Sequence, residues 1–129
     1  MNSDSGDLEK TIDKPKKLIY EHKIWISNED GAYILGHGGA KLLELIDQTK
    51  DLGKAGKIMS MSYRKAWNMI QKIKNDTGLN PVTTHRGGVG GGGGIELTQD
   101  GKDLVDSFAK FSEHFERAMA DFKKSLGKD

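Results

Sequence analysis

The sequence has 129 residues and no cysteine, which excludes disulfides and thiolate metal sites and makes a cytoplasmic location the simplest reading. It has no apolar run near eighteen residues, so no membrane span is expected. Met1 to Asp7 lack the charged and apolar blocks of a secretory signal. A strong charge of one sign is missing too, since 20 basic residues face 19 acidic ones for a net charge of +1. Spread evenly, that balance would argue against a nucleic-acid partner. His22, His37, His85 and His114 are scattered without the H-x-x-x-H or carboxylate spacing of a metal site. No set of nucleophile, base and orienting group stands out, so neither an enzyme nor a cofactor is expected.

What is present is one domain's worth of chain, with 30% charged and 35% hydrophobic residues suited to helices with polar outer faces. The charge is unevenly placed. Between Lys50 and Gly90 stand eight basic residues and two acidic ones, a local net charge of +6. Fields between exposed charges fade over roughly 8 to 10 Å at physiological salt, so such a segment can bind phosphates while the whole chain stays near neutral.

Read in order, residues 1–17 hold too few apolar side chains to order themselves and are expected to form a flexible tail. Leu18 to Ile26 is β-prone, with Tyr20, His22, Ile24 and Ile26 on one face. Asp30-Gly31 supplies a turn and Ala32 to Leu35 a returning strand, which predicts an amino-terminal hairpin over 18–35. Gly36 to Gly39 should break the strand, before a helix over Ala40 to Gln48 bearing Leu42, Leu43, Leu45 and Ile46. After the capping residues Thr49 to Asp51, Leu52, Ala55, Ile58 and Met59 recur at three and four residues in a short second helix, weakened by Gly53 and Gly56.

A tight turn at Ser60-Met61 leads into a third helix over about 62–76, capped by Ser62 and ended by Gly78. Ala66, Ile70 and Ile73 form its apolar face, leaving Ser62, Tyr63, Arg64, Lys65 and Asn68 as a polar head and Lys72 further along. Arginine and asparagine can each make paired hydrogen bonds to base edges, as a recognition helix in a major groove does. In that arrangement Lys50, Lys54 and Lys57 meet flanking phosphates, and Arg64 and Asn68 are the best candidates for reading guanine and adenine. Trp67, beside Ala66, belongs to the core. Two short strands, Pro81 to Arg86 and Ile95 to Leu97, flank Gly87, Gly88 and Gly90 to Gly94 and make a hairpin over 81–97. Its Thr83, Thr84, His85 and Arg86 could touch the DNA backbone or minor groove. The run Gly88 to Gly93 matches G-x-G-x-x-G only because it is glycine, and lies between strands instead of before a helix, so it gives no nucleotide site. Gly36 to Gly39 could present N–H groups to an anion.

Thr98 caps a last helix over 99–126, in which Leu104, Phe108, Phe111, Phe115, Ala118, Phe122 and Leu126 step by three and four, with Met119 beside them. Such a helix is longer than the body it joins, so Phe108, Phe111, Phe115, Met119 and Phe122 are expected to pair with a second copy, with the Leu104 to Phe111 part also closing the domain's own core. The predicted fold is therefore mainly α with small β (α+β): a winged helix-turn-helix over 18–98 with an amino-terminal hairpin and a long carboxyl-terminal dimerisation helix.

Ser60 to Trp67, the glycine clusters before Ile95 and Leu97-Thr98-Gln99-Asp100-Gly101 resemble the amino-terminal DNA-binding domain of ModE-type molybdate-dependent transcriptional regulators, themselves similar to the DNA-binding part of LysR-type proteins. The resemblance covers about Lys23 to Phe111 and implies a sequence-specific transcription factor acting on double-stranded DNA as a homodimer. The chain departs from the family at Gly53, Gly56 and Ser60, where an alanine-rich second helix and a turn glycine are usual. The sequence also ends without the carboxyl-terminal oxyanion-binding domains, so molybdate sensing is not carried over. A winged-helix module for a protein partner and a small oxyanion-responsive sensor are the two alternatives.

Overall fold

A computed structural model describes residues 15–86 and 94–127. The tail expected over 1–17 therefore falls mostly outside the described residues, as does the glycine tip from Gly87 to Gly93. The fold is α+β. In chain order it comprises β1 (Ile26–Ser27), β2 (Tyr33–Leu35), α1 (His37–Thr49), α2 (Leu52–Ile58), α3 (Tyr63–Thr77), β3 (Val82–His85), β4 (Gly94–Leu97) and α4 (Gln99–Ser125). The strands form two antiparallel pairs, β1 with β2 and β3 with β4.

Helix α1 is the axis of the core. It touches α2, α4, β2 and β4, and its Leu42, Leu43, Leu45 and Ile46 are buried together with Ile34 and Leu35 of β2, Leu52 and Ala55 of α2, Ile95 and Leu97 of β4, and Phe108 of α4. Each such leucine or isoleucine contributes roughly 1.5–3 kcal/mol of apolar burial. The strand does end before the glycines, at Leu35, but the helix expected from Ala40 starts earlier, at His37, with Gly36 as its N-cap. Glycine is used there for close packing, since a Cβ on Gly39 would stand 2.8 Å from a methyl of Leu35.

The amino-terminal hairpin is much shorter than its β-prone sequence predicts. Only Ile26 and Ser27 pair, with Leu35 and Tyr33, and the register shifts between them. The returning strand is three residues long and offers nothing further for Leu18 to Trp25 to pair with. Tyr20 and His22 meet α4 instead: the Tyr20 ring lies 4.9 Å from that of Phe122, edge on, and the His22 ring 6.3 Å from that of Phe115. The turn itself is well specified. Asn28 Oδ1 accepts from the amides of Asp30 and Ala32 at 3.0 and 2.9 Å, and Gly31 takes the left-handed conformation at φ +88°. Asn28 Nδ2 donates to the Asp76 carbonyl at 3.0 Å, fastening the turn to the end of α3.

Two left-handed residues set the bends on either side of α2. Lys50, at φ +57°, donates its amide to Ile46 and ends α1; its carbonyl accepts from the Ile95 amide at 3.3 Å, which ties β4 to the α1–α2 junction. Ser60, also at φ +57°, closes α2 in a Schellman arrangement, with Ser60 N–H on the Lys57 carbonyl at 3.0 Å and Met61 N–H on the Gly56 carbonyl at 2.9 Å. Serine thus stands where glycine is the easier residue. Gly56 is buried, and a Cβ there would lie 3.3 Å from the Met61 carbonyl oxygen and 3.5 Å from Ala66 Cβ, so the glycine lets the turn and α3 approach α2. Ile58, expected on the apolar stripe of this helix, is 61% exposed: α2 is a single short span whose buried side is completed by Gly56.

The start of α4 is locked to the second hairpin. Thr98 Oγ1 accepts from the Gly101 amide at 3.1 Å, its hydroxyl donates to the Asn80 carbonyl, and its own amide donates to the Pro81 carbonyl at 3.1 Å. Phe108 then inserts into the core at 3% exposure, with Leu104, Val105 and Phe111 packed against it. Beyond Ser112 the helix is mostly exposed, and Phe115 and Phe122 are each 43% exposed even with the amino-terminal segment against them.

Candidate nucleic-acid interface

Local chemistry fixes where α3 begins. Ser62 Oγ accepts from the Lys65 amide at 3.1 Å, satisfying one of the free donors of the first turn, and Gly78 ends the helix at φ +78°. Ala66, Ile70 and Ile73 are buried. At about 100° per residue, the line directly opposite them runs through Arg64, Asn68, Gln71 and Asn75. Arg64, Asn68 and Asn75 are exposed and Gln71 half-buried. Lys65 and Lys72 flank this line on one side, and Tyr63 and Trp67 on the other. Lys72 is engaged in an ion pair with Asp76 one turn on, whereas Arg64 and Lys65 make no ion pair among the described residues. Trp67 packs half-buried against the core, as its place beside Ala66 predicts.

The second hairpin stands next to the start of α3. Tyr63 and Trp67 line a cleft of about 330 Å³ together with Thr84, His85, Gly94 and Ile95 from the hairpin and Asp51 to Gly53 from the entry to α2. Val82 to His85 pair in register with Leu97 to Gly94, and His85 Nε2 lies 3.5 Å from Glu96 Oε1 across that ladder. The structure therefore brings Tyr63, Thr84 and His85 to one cleft. Arg64, Lys65 and Asn68 do not line it; they occupy the outer side of α3. Arg86 is exposed at the last described position before the glycine tip. Lys54 and Lys57 are exposed on α2, whose first turn is capped by Asp51 through the Lys54 amide at 2.9 Å. Lys50 Nζ is 3.1 Å from Asp47 Oδ1, so its charge is partly answered within the protein.

The residues expected to meet a second copy separate into two groups. Phe108 is enclosed in its own domain and Phe111 packs half-buried against the same core. Phe115, Met119 and Phe122 lie on the projecting part of α4, where His22 Nε2 also comes within 3.6 Å of Glu116 Oε1. Sequence reasoning passed over Gln71 and Asn75. Their signal was present, since they stand seven and eleven residues after Arg64 on the same helical line.

Among the described residues no cluster of three or more His, Asp or Glu comes together as metal ligands, and no helix is long and apolar enough to cross a membrane. No family model matches the chain. It is 30% identical over 95 residues, 74% of its length, to the molybdenum-pterin-binding protein MopB of Rhodobacter capsulatus. It is 28% identical over 79 residues, 61% of its length, to the molybdenum transport protein ModE of Azotobacter vinelandii. These similarities support a relation to ModE-type proteins. The chain spans about a third of the length of either relative, 35% of the first and 29% of the second.

Proposed function

We propose that this protein is a transcriptional regulator that binds double-stranded DNA sequence-selectively as a homodimer, without catalysis of its own, in the cytoplasm. The observation that carries the reading is α3 itself: a serine-capped helix with a buried apolar face and an outer line of Arg64, Asn68, Gln71 and Asn75, beside a two-stranded hairpin. The succession of α2, a tight turn, α3 and the β3–β4 hairpin is read as a winged helix-turn-helix. In it α3 enters the major groove, while Lys54, Lys57, Lys65 and Arg86 neutralise phosphates on either side. Thr84 and His85 at the cleft place the wing against the backbone. The two relatives support this reading and, by their names, connect it with molybdenum. The projecting half of α4, with Phe115, Met119 and Phe122, supplies the contact between protomers.

Duplex binding measured by fluorescence anisotropy across a salt series tests the proposal. With about four phosphate contacts per protomer, the logarithm of affinity should fall against that of salt with a slope of about −7 for the dimer. Arg64→Ala should relax preference at the base position it reads and leave salt-sensitive binding. Affinity insensitive to salt, or no measurable binding to any duplex, would reject the reading.

A further inference from the structure

We infer that Gln71 and Asn75 are specificity-determining residues, and that α3 lies lengthwise along the groove instead of entering it by its first two turns alone. The inference rests on the proposed DNA-binding reading and extends it. Three observations carry it. First, Arg64, Asn68, Gln71 and Asn75 succeed one another at four, three and four residues, opposite the buried Ala66, Ile70 and Ile73, so one line of side chains, with Gln71 half-buried and the other three exposed, runs along almost the whole helix on the side away from its apolar face. Second, each of the four is a residue type able to make paired hydrogen bonds to a base edge, arginine to guanine and asparagine or glutamine to adenine. Third, none of their side chains makes a hydrogen bond or ion pair within the protein among the described residues, while the neighbouring Lys72 and Thr77 are both engaged, with Asp76 and the Ile73 carbonyl.

The helical end is held for such a role. Asn28 anchors the last turn through the Asp76 carbonyl, and Ile73 is buried beneath it, so Asn75 sits on a fixed turn and not on a frayed one. From Arg64 to Asn75 the helix advances about 16 Å at 1.5 Å per residue, close to five base-pair steps of about 3.4 Å each. A helix reading only with its first two turns would use Arg64 and Asn68 and leave the rest in solvent.

The test is selection of bound sequences from a random duplex pool by wild-type protein, Gln71→Ala and Asn75→Ala, each first confirmed to be folded by circular dichroism. The expected result is that each variant relaxes one different A·T position, displaced from the position lost in Arg64→Ala by about three to five base pairs, while affinity for the selected site falls roughly 5- to 100-fold. Motifs identical to that of the wild type, or a loss of affinity spread equally over all sequences, would overturn the inference. If the wild type itself enriched no motif, the failure would lie with base reading by α3 as a whole.

Discussion

Replacing Gly101 by alanine sets tertiary packing against helix propensity, because the two predict opposite signs. On propensity alone, alanine in the first turns of α4 should stabilise the helix by up to about 1 kcal/mol. A Cβ at this position, however, would stand 2.1 Å from the Pro81 carbonyl oxygen and 3.1 Å from its carbon. These are backbone atoms of a fully buried residue, and that same oxygen accepts the Thr98 amide, so neither side of the contact can move away alone. Overpacking of this kind costs roughly 1–3 kcal/mol and sometimes more, and here the upper part of that range outweighs the propensity gain, leaving a net loss of about 1–2 kcal/mol. In a chain of this size the melting temperature should fall by roughly 4–10 °C. Gly38→Ala is the matched control: Gly38 is exposed in the first turn of α1, and its added Cβ meets nothing within 4 Å, so a gain of about 0.5–1 kcal/mol is expected. Thermal and urea unfolding followed by circular dichroism measure both. A Gly101→Ala protein as stable as the wild type would refute the close approach of α4 to Pro81.

Ser60→Gly should raise stability by about 0.5 kcal/mol, because relief of the left-handed serine, worth roughly 1–2 kcal/mol, exceeds the entropy that glycine adds to the unfolded chain; urea midpoints decide the sign. Ser62→Ala removes the cap of α3 and should destabilise by about 1 kcal/mol, a loss that a Ser62→Asp variant in the same assay should largely restore. Phe115→Asp combined with Phe122→Asp should yield a folded monomer, since both rings lie outside the core; light scattering that gives the same mass for variant and wild type would reject dimerisation through this part of α4.

Much of the helical framework could be read from residues acting locally. The caps Asp51, Ser62 and Thr98 are hydrogen-bonded in the structure as their side-chain chemistry requires, and Ala66, Ile70 and Ile73 carry their burial in their spacing alone. What escaped depends on partners far along the chain. Leu18 to Trp25 has every local mark of a strand, but strand formation needs a neighbour, and β2 provides pairing for two residues only. His37 to Gly39 read as part of the strand break and not of α1 because glycine is a poor helix former; the use of Gly39 against Leu35 becomes visible only once β2 and α1 are in contact. Ile58 continues a periodic pattern that Gly56, the residue without a side chain, completes on the buried side. At the candidate interface, the polar first turn of α3 was legible from residue types, whereas the cleft shared by Tyr63, Thr84 and His85 depends on the Ile95 amide meeting the Lys50 carbonyl, a contact between residues 45 positions apart that no local pattern announces. Gln71 and Asn75 were missed for a simpler reason: a polar residue past the first turn reads as solvated surface until the whole buried line opposite it is known.

The proposed function requires α3 to read base sequence in duplex DNA from two protomers related by a two-fold axis. Selection of bound duplexes from a random pool by the unmodified protein decides whether it does. One enriched motif with two-fold symmetry is expected, its half-sites separated centre to centre by about one helical turn, 10–10.5 base pairs, or a multiple of it. Salt-sensitive binding that enriches no motif, or an enriched motif without symmetry, would contradict it.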